Sequence, residues 1–164
     1  MKAVANSSVL FTLSIIEQLA LLPRRFPEGV LIPQAVWREV VEMGKGHPGS
    51  EEVASASWVE VHEVKDRELV SLLHSELDEG EAEAIALARE EQALVVLLDE
   101  KDARRVARRL SMHALGTVGL LIWAKRVGAI ANLREELDTL RSSGGFHLSQ
   151  AVYDDALRAG GEVD

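Results

Sequence analysis

Cysteine is absent from this chain of 164 residues. Without a thiol there is no disulfide scaffold, no thiolate metal site and no cysteine nucleophile. Long apolar runs are also missing. The longest, Ala93–Leu98 and Val118–Ala124, fall well short of the roughly 20 residues a membrane span needs, so they read as core. The first residues, Met1 to Asn6, hold one lysine and no long apolar run, so no secretory signal is read there. A cytoplasmic location is the expectation left by these absences. An excess of positive charge is lacking too: 18 Lys and Arg stand against 27 Asp and Glu, a formal charge of −9. Proteins that hold nucleic acid by broad electrostatics are usually basic, which argues against that class. An enzyme that meets phosphate through bound cations escapes the argument, because the ions invert the local charge.

Several catalytic templates are absent as well. Gly44-Lys45-Gly46 lacks the spacing of a phosphate loop, no GxGxxG follows the first strand, and no GxSxG elbow is present. The five histidines are scattered, which makes a zinc site improbable.

What is present is a foldable α/β pattern. Apolar residues make up 47% of the chain, enough for a core and too many for disorder. The length suits one domain over residues 1–164, with a helical segment from about 130 onward packed on it. Val4-Ala5 reads as a short strand. Asn6 or Ser7 then caps an amphipathic helix extending to Ala20. Val30-Leu31-Ile32 is a second strand. Pro33 fits the first position of a helix running to about Val41. A short helix follows from Ser50, and Trp58–Val61 alternates like a strand. Asp66 and Asp78 are caps for two further helices, ending near His74 and Glu91. Ala93–Leu98 reads as a parallel strand buried on both faces. The helix Lys101–Leu110, the strand Met112–Leu115 and a helix from Thr117 to Val127 come next. Helices at Asn132–Arg141 and Ser149–Ala159 finish the chain, divided by Gly144-Gly145. Alternating strands and helices predict a three-layer α/β/α fold around a central, mainly parallel sheet. Ligands of such sheets bind beyond the carboxyl ends of the strands.

Polar residues gather where that rule points. Asn6 follows the first strand. Asp99 follows the buried strand, with Asp102 a turn later. Glu39 shares a helix face with Ala35, Val36 and Met43, and Glu81 shares one with Ala84, Ile85 and Ala88. A carboxylate on an apolar face is costly to bury unless paired or metal-bound. Oxygen ligands without Cys or paired His favour Mg²⁺ or Mn²⁺. Each residue also has an ordinary reading. Asn6 and Asp99 suit helix caps, and Glu39 suits a surface position. Glu81, with Glu79 and Glu83 beside it, suits a solvated first turn. A receiver or haloacid-type phosphatase would use Asp99 as a nucleophile, but the acid pair expected beside it is missing.

At these residues the chain resembles a PIN domain, the nuclease fold of the VapC toxins, and within it the VapC-like DUF3368 branch. The matching stretches are Val4–Ser8, Ile32–Val41, Leu77–Ala88, Leu97–Arg104 and Gly116–Leu121. Their order and spacing carry the likeness. The resemblance implies a Mg²⁺- or Mn²⁺-dependent ribonuclease that leaves a 5′-phosphate and a 3′-hydroxyl. Its four site positions fall here on Asn6, Glu39, Glu81 and Asp99, with Glu39, Glu81 and Asp99 catalytic and Asp102 a fifth metal-side member. Ser8 and Thr117 would orient ligands or water from behind. Asn6 departs from the wider pattern, which has Asp there; its amide oxygen coordinates a cation but adds no charge. Lys101, Arg104, Arg105 and Arg108, on the helix after Asp99, would contact RNA; a solvated helix face is the plainer reading. The resemblance further suggests a homodimer and a small antitoxin partner; the apolar-rich helices Ser7–Ala20 and Ser50–Ala56 would serve as contact surfaces, and core burial explains them equally well. A non-catalytic module binding RNA or a protein is the alternative that Asn6 keeps open.

Overall fold

The computed structural model describes residues 2–143 and 146–162. Five strands, β1 (Ala3–Ala5), β2 (Val30–Pro33), β3 (Val59–His62), β4 (Val95–Leu97) and β5 (His113–Leu115), form one sheet in the order β3-β2-β1-β4-β5. Every pairing is parallel. The helices are α1 (Ser7–Ile15), α2 (Leu21–Arg25), α3 (Gln34–Trp37), α4 (Ser50–Ser55) and α5 (Arg67–Leu73), then α6 (Glu79–Glu90), α7 (Lys101–Arg109), α8 (Thr117–Arg126), α9 (Leu133–Ser142) and α10 (Gln150–Ala159).

The strands alternate between two cores, as a sheet buried on both faces must. Ala3, Ala5, Val30, Ile32, Val95 and Leu97 face the side covered by α1, α8, α9 and α10. Val4, Leu31, Val96 and Leu98 face the side covered by α5, α6 and α7. The expected three-layer parallel fold is therefore the one observed. Leu133, Leu137, Leu140, Tyr153, Ala156 and Leu157, from α9 and α10, join the α8 side of the core. Gly144-Gly145, expected to divide these two helices, lie outside the described residues. Among the described residues, no helix is long and apolar enough to cross a membrane.

Some local expectations are corrected. The first helix stops at Ile15, because the backbone at Glu17 turns left-handed (φ 59°), and α2 starts afresh at Leu21. Pro33 closes β2 and stands at the cap before α3, one position earlier than expected. That helix does not continue as α to Val41. Residues Arg38–Glu42 form a π-helical turn, with Met43 N bonded to Arg38 O at 2.7 Å. The wider turn rotates the residues after it about the helix axis. Met43 is thus 77% exposed, while Ala35 and Val36 are buried.

The strand order explains where a site forms. The chain steps outward from β1 to β2 and β3, then returns to place β4 on the other side of β1. Between β1 and β4 lies the topological switch point, where crossovers diverge and leave a crevice. Asn6 and Asp99 sit at its two lips, and the Asn6 N–H bonds Leu97 O at 3.1 Å.

Candidate active site

Asn6 ends β1 and is 3% exposed, yet its side chain makes no capping bond to α1. The capping that its residue type suggested is absent, and its amide is left for the crevice. Ser7 Oγ lies 3.4 Å from Asn6 Oδ1 and donates to Glu39 Oε2 at 2.8 Å. The hydroxyl engaged with these groups is thus that of Ser7, which nothing in the sequence singles out over its neighbour. Ser8 Oγ is enclosed and has no partner among the described residues.

Glu39 reaches the crevice from the π-helical turn. Its Oε1 and Asn6 Oδ1 converge over Gly80: a Cβ built there would stand 2.5 Å from the first and 3.1 Å from the second. A glycine inside a helical pattern signals such a close approach, and Leu77-Asp78-Glu79-Gly80-Glu81 carried that signal.

Glu81 is buried, and a capping box holds it. Asp78 Oδ1 accepts from Glu81 N at 2.7 Å, and Glu81 Oε1 accepts from Asp78 N at 3.1 Å. Glu83 is not part of a solvated run. It is 3% exposed, accepts from Ala35 N at 3.1 Å and pairs with Arg67 at 3.2 Å. It thereby pins the start of α3 to α6, one turn before Glu39.

Asp99 does not cap its own helix; Glu100 occupies that position before α7. The Asp99 carboxylate instead accepts from Thr117 N at 2.7 Å and Thr117 Oγ1 at 2.8 Å, at the start of α8. Thr117 thus holds both carboxylate oxygens of Asp99. Asp102 is exposed and pairs with Arg105 at 3.0 Å. Lys101, Arg104 and Arg108 line a groove with Asp99, and Arg105 does not.

Burial raises the proton affinity of Glu39, Glu81 and Asp99 above the ordinary carboxylate range. The Ser7 bond opposes this at Glu39, while Asp78 and Glu79 reinforce it. At Glu81, Asp78, Glu100 and Asp102 add to the rise. At Asp99 the Thr117 bonds and the Arg104 charge oppose it. Three acids thus sit where their charged forms are undercompensated.

The donors are oxygens throughout, which suits Mg²⁺ or Mn²⁺. Among the described residues, no three Asp, Glu or His side chains are grouped to hold a metal ion. Mg²⁺ does not require such a cage: it keeps several waters and takes one or two carboxylates. The convergence of Asn6 and Glu39 over Gly80 fits that kind of site.

Stability should report these acids. Each binds protons more tightly folded than unfolded, so the metal-free protein should grow more stable as pH falls from neutral toward 4.5. Glu162, held low by Lys125 and two backbone N–H groups against its desolvation, acts oppositely: the stability it contributes is lost only below 4.5. Thermal unfolding in chelator from about pH 7.5 to about pH 5 should show a rising Tm, and saturating Mg²⁺ should flatten the trend. An equally steep trend with Mg²⁺ present would mean that no ion engages these acids.

A family model described as DUF3368, a PIN domain, matches residues 2–162. No curated protein and no solved structure gives a significant match.

Proposed function

The chain belongs to the PIN-domain family DUF3368, whose superfamily is one of nucleases that typically use divalent metals, and from that premise we propose that it is a Mg²⁺- or Mn²⁺-dependent endoribonuclease. The observation that carries this reading is the meeting of Asn6 Oδ1 and Glu39 Oε1 over Gly80, at the switch point of the sheet.

Asn6 and Glu39 would hold the ion, with Glu81 and Asp99 adding negative charge from α6 and from the end of β4. A bound divalent ion supplies Lewis acidity toward a phosphate and lowers the pKa of water. Ser7 keeps the Glu39 carboxylate turned toward Asn6, and Thr117 keeps Asp99 from rotating. Arg104, beside Asp99, offers a cation to the phosphate. Hydrolysis adds hydroxide to phosphorus, returns a proton to O3′ and leaves a 5′-phosphate. A toxin role with a small antitoxin, and a homodimer, belong to the same proposal.

A second reading has its own support. The neutral amide at position 6 and the lack of a three-acid group among the described residues favour a module that binds RNA or a protein with weakened chemistry. One experiment separates the two. Purified protein is incubated with labelled single-stranded RNA in Mg²⁺, in Mn²⁺ and in EDTA, and metal binding is titrated in parallel. Cleavage that needs the ion supports the nuclease. RNA binding with neither cleavage nor metal uptake supports the module.

A further inference from the structure

The helix α7 carries five cations, Lys101, Arg104, Arg105, Arg108 and Arg109, and the structure divides them into two sets. Arg105 pairs with Asp102 and Arg109 with Glu76. Lys101, Arg104 and Arg108 stand at i, i+3 and i+7, on one face. Among the described residues none of these three makes a salt bridge. All three line a groove of about 720 Å³, together with Asp99, Glu100, Phe146 and His147. In a chain of net charge −9, three cations against the two acids Asp99 and Glu100 leave this groove locally positive.

Phe146 is half-buried against the core, so its ring is anchored while it still lines the groove. Cations that track a backbone, set beside an aromatic face, are how proteins hold single-stranded nucleic acid. A duplex fits this wall poorly, because its base faces are already stacked and offer no plane to a ring. Arginine forks match phosphate geometry, and the groove opens on the candidate active site through Asp99.

We propose that the groove between α7 and residues 146–149 holds the single RNA strand flanking the scissile phosphate, with Lys101, Arg104 and Arg108 on its phosphates and Phe146 on a base. The proposal rests on the nuclease reading of the adjoining site and adds to it the path of the strand and the side chains that hold it. Arg105 and Arg109 lie outside that path.

The test is binding without chemistry. Anisotropy of a labelled oligouridine of ~12 nucleotides is followed in EDTA, against increasing salt and against a duplex competitor. Arg108→Glu should weaken binding about tenfold or more and flatten the salt dependence, since each lost phosphate contact removes ~0.7 from the slope. Phe146→Leu keeps apolar bulk but loses the stacking plane, and should cost about fivefold or more with the salt slope unchanged. Arg105→Glu makes the same charge change off the groove and should stay within about twofold. Equal weakening by Arg105→Glu and Arg108→Glu would overturn the groove in favour of diffuse attraction. A duplex that competes as well as the single strand would overturn it too. Cleavage measured separately keeps the two ideas apart. Metal-dependent cleavage that is untouched by Arg108→Glu and Phe146→Leu sinks the groove and leaves the nuclease standing. The expected binding pattern without cleavage in any metal does the reverse.

Discussion

Asp99→Asn should reduce RNA cleavage by about 10²–10³-fold while leaving the fold intact, the range seen when one charge-stabilising group is removed from an active site. Both Asp99 oxygens accept bonds from Thr117, one from the backbone N–H and one from the hydroxyl. Asparagine keeps the first, because its Oδ1 is an acceptor. The Thr117 hydroxyl can rotate to accept from the new amide. Burial already disfavours the Asp99 charge, so removing it costs the fold little; a change within about 1 kcal/mol is expected. What disappears is the negative charge at the end of β4, the one that faces Arg104. Asp99→Ala serves as the contrasting variant. It orphans the N–H of Thr117, a residue that is 0% exposed, and should cost about 1–3 kcal/mol of stability. Single-turnover cleavage and thermal unfolding on both variants read the two effects separately. Wild-type rates from folded Asp99→Asn would remove Asp99 from the active site.

Gly80→Ala should lower cleavage about 10²-fold, the scale on which a misplacement of ~1 Å acts, and raise the Mg²⁺ concentration needed. The added Cβ would come 2.5 Å from Glu39 Oε1, too close to stand, and 3.1 Å from Asn6 Oδ1, a tight contact. Both are ends of side chains, so the backbone need not move. Glu39 swings away instead and gives up its Ser7 bond, a loss of about 0.5–1.5 kcal/mol. Alanine offsets this with up to about 1 kcal/mol of helix propensity. Little change in Tm beside a large loss of rate is therefore the expected signature. A folded Gly80→Ala protein with wild-type Mg²⁺ dependence would show that Asn6 and Glu39 do not act together at this point.

These two variants mark the boundary between what could be read along the chain and what could not. Local pattern carried the architecture. The buried run around Val95–Leu97, the cap-and-helix signatures at Asp66 and Asp78, and the strand–helix alternation each depend on residues a few positions apart. Such short-range physics is written directly in sequence. The order and spacing of the stretches Val4–Ser8, Ile32–Val41, Leu77–Ala88, Leu97–Arg104 and Gly116–Leu121 carried the family by resemblance, and the match over residues 2–162 agrees.

The missed features of the site depend on groups far apart in the chain. Asp99 looked like a cap for the helix that follows it, but its partner is Thr117, 18 residues on, brought near by the pairing of β4 with β5. Glu83 looked solvated until α3 docked on it across 48 positions. Ser7 rather than Ser8 meets Glu39, because the register of α1 against the π-helical turn selects between adjacent hydroxyls. The five cations of α7 were alike in sequence. Only their surroundings sort them, with Asp102 and Glu76 neutralising two while the other three line the groove. The sequence by itself determined the strands, most of the helices and the residue types at the sheet's carboxyl end. The tertiary structure decided which of those groups meet, because a hydrogen bond or a metal contact is settled within about 3 Å, and only the packing of distant elements sets distances on that scale.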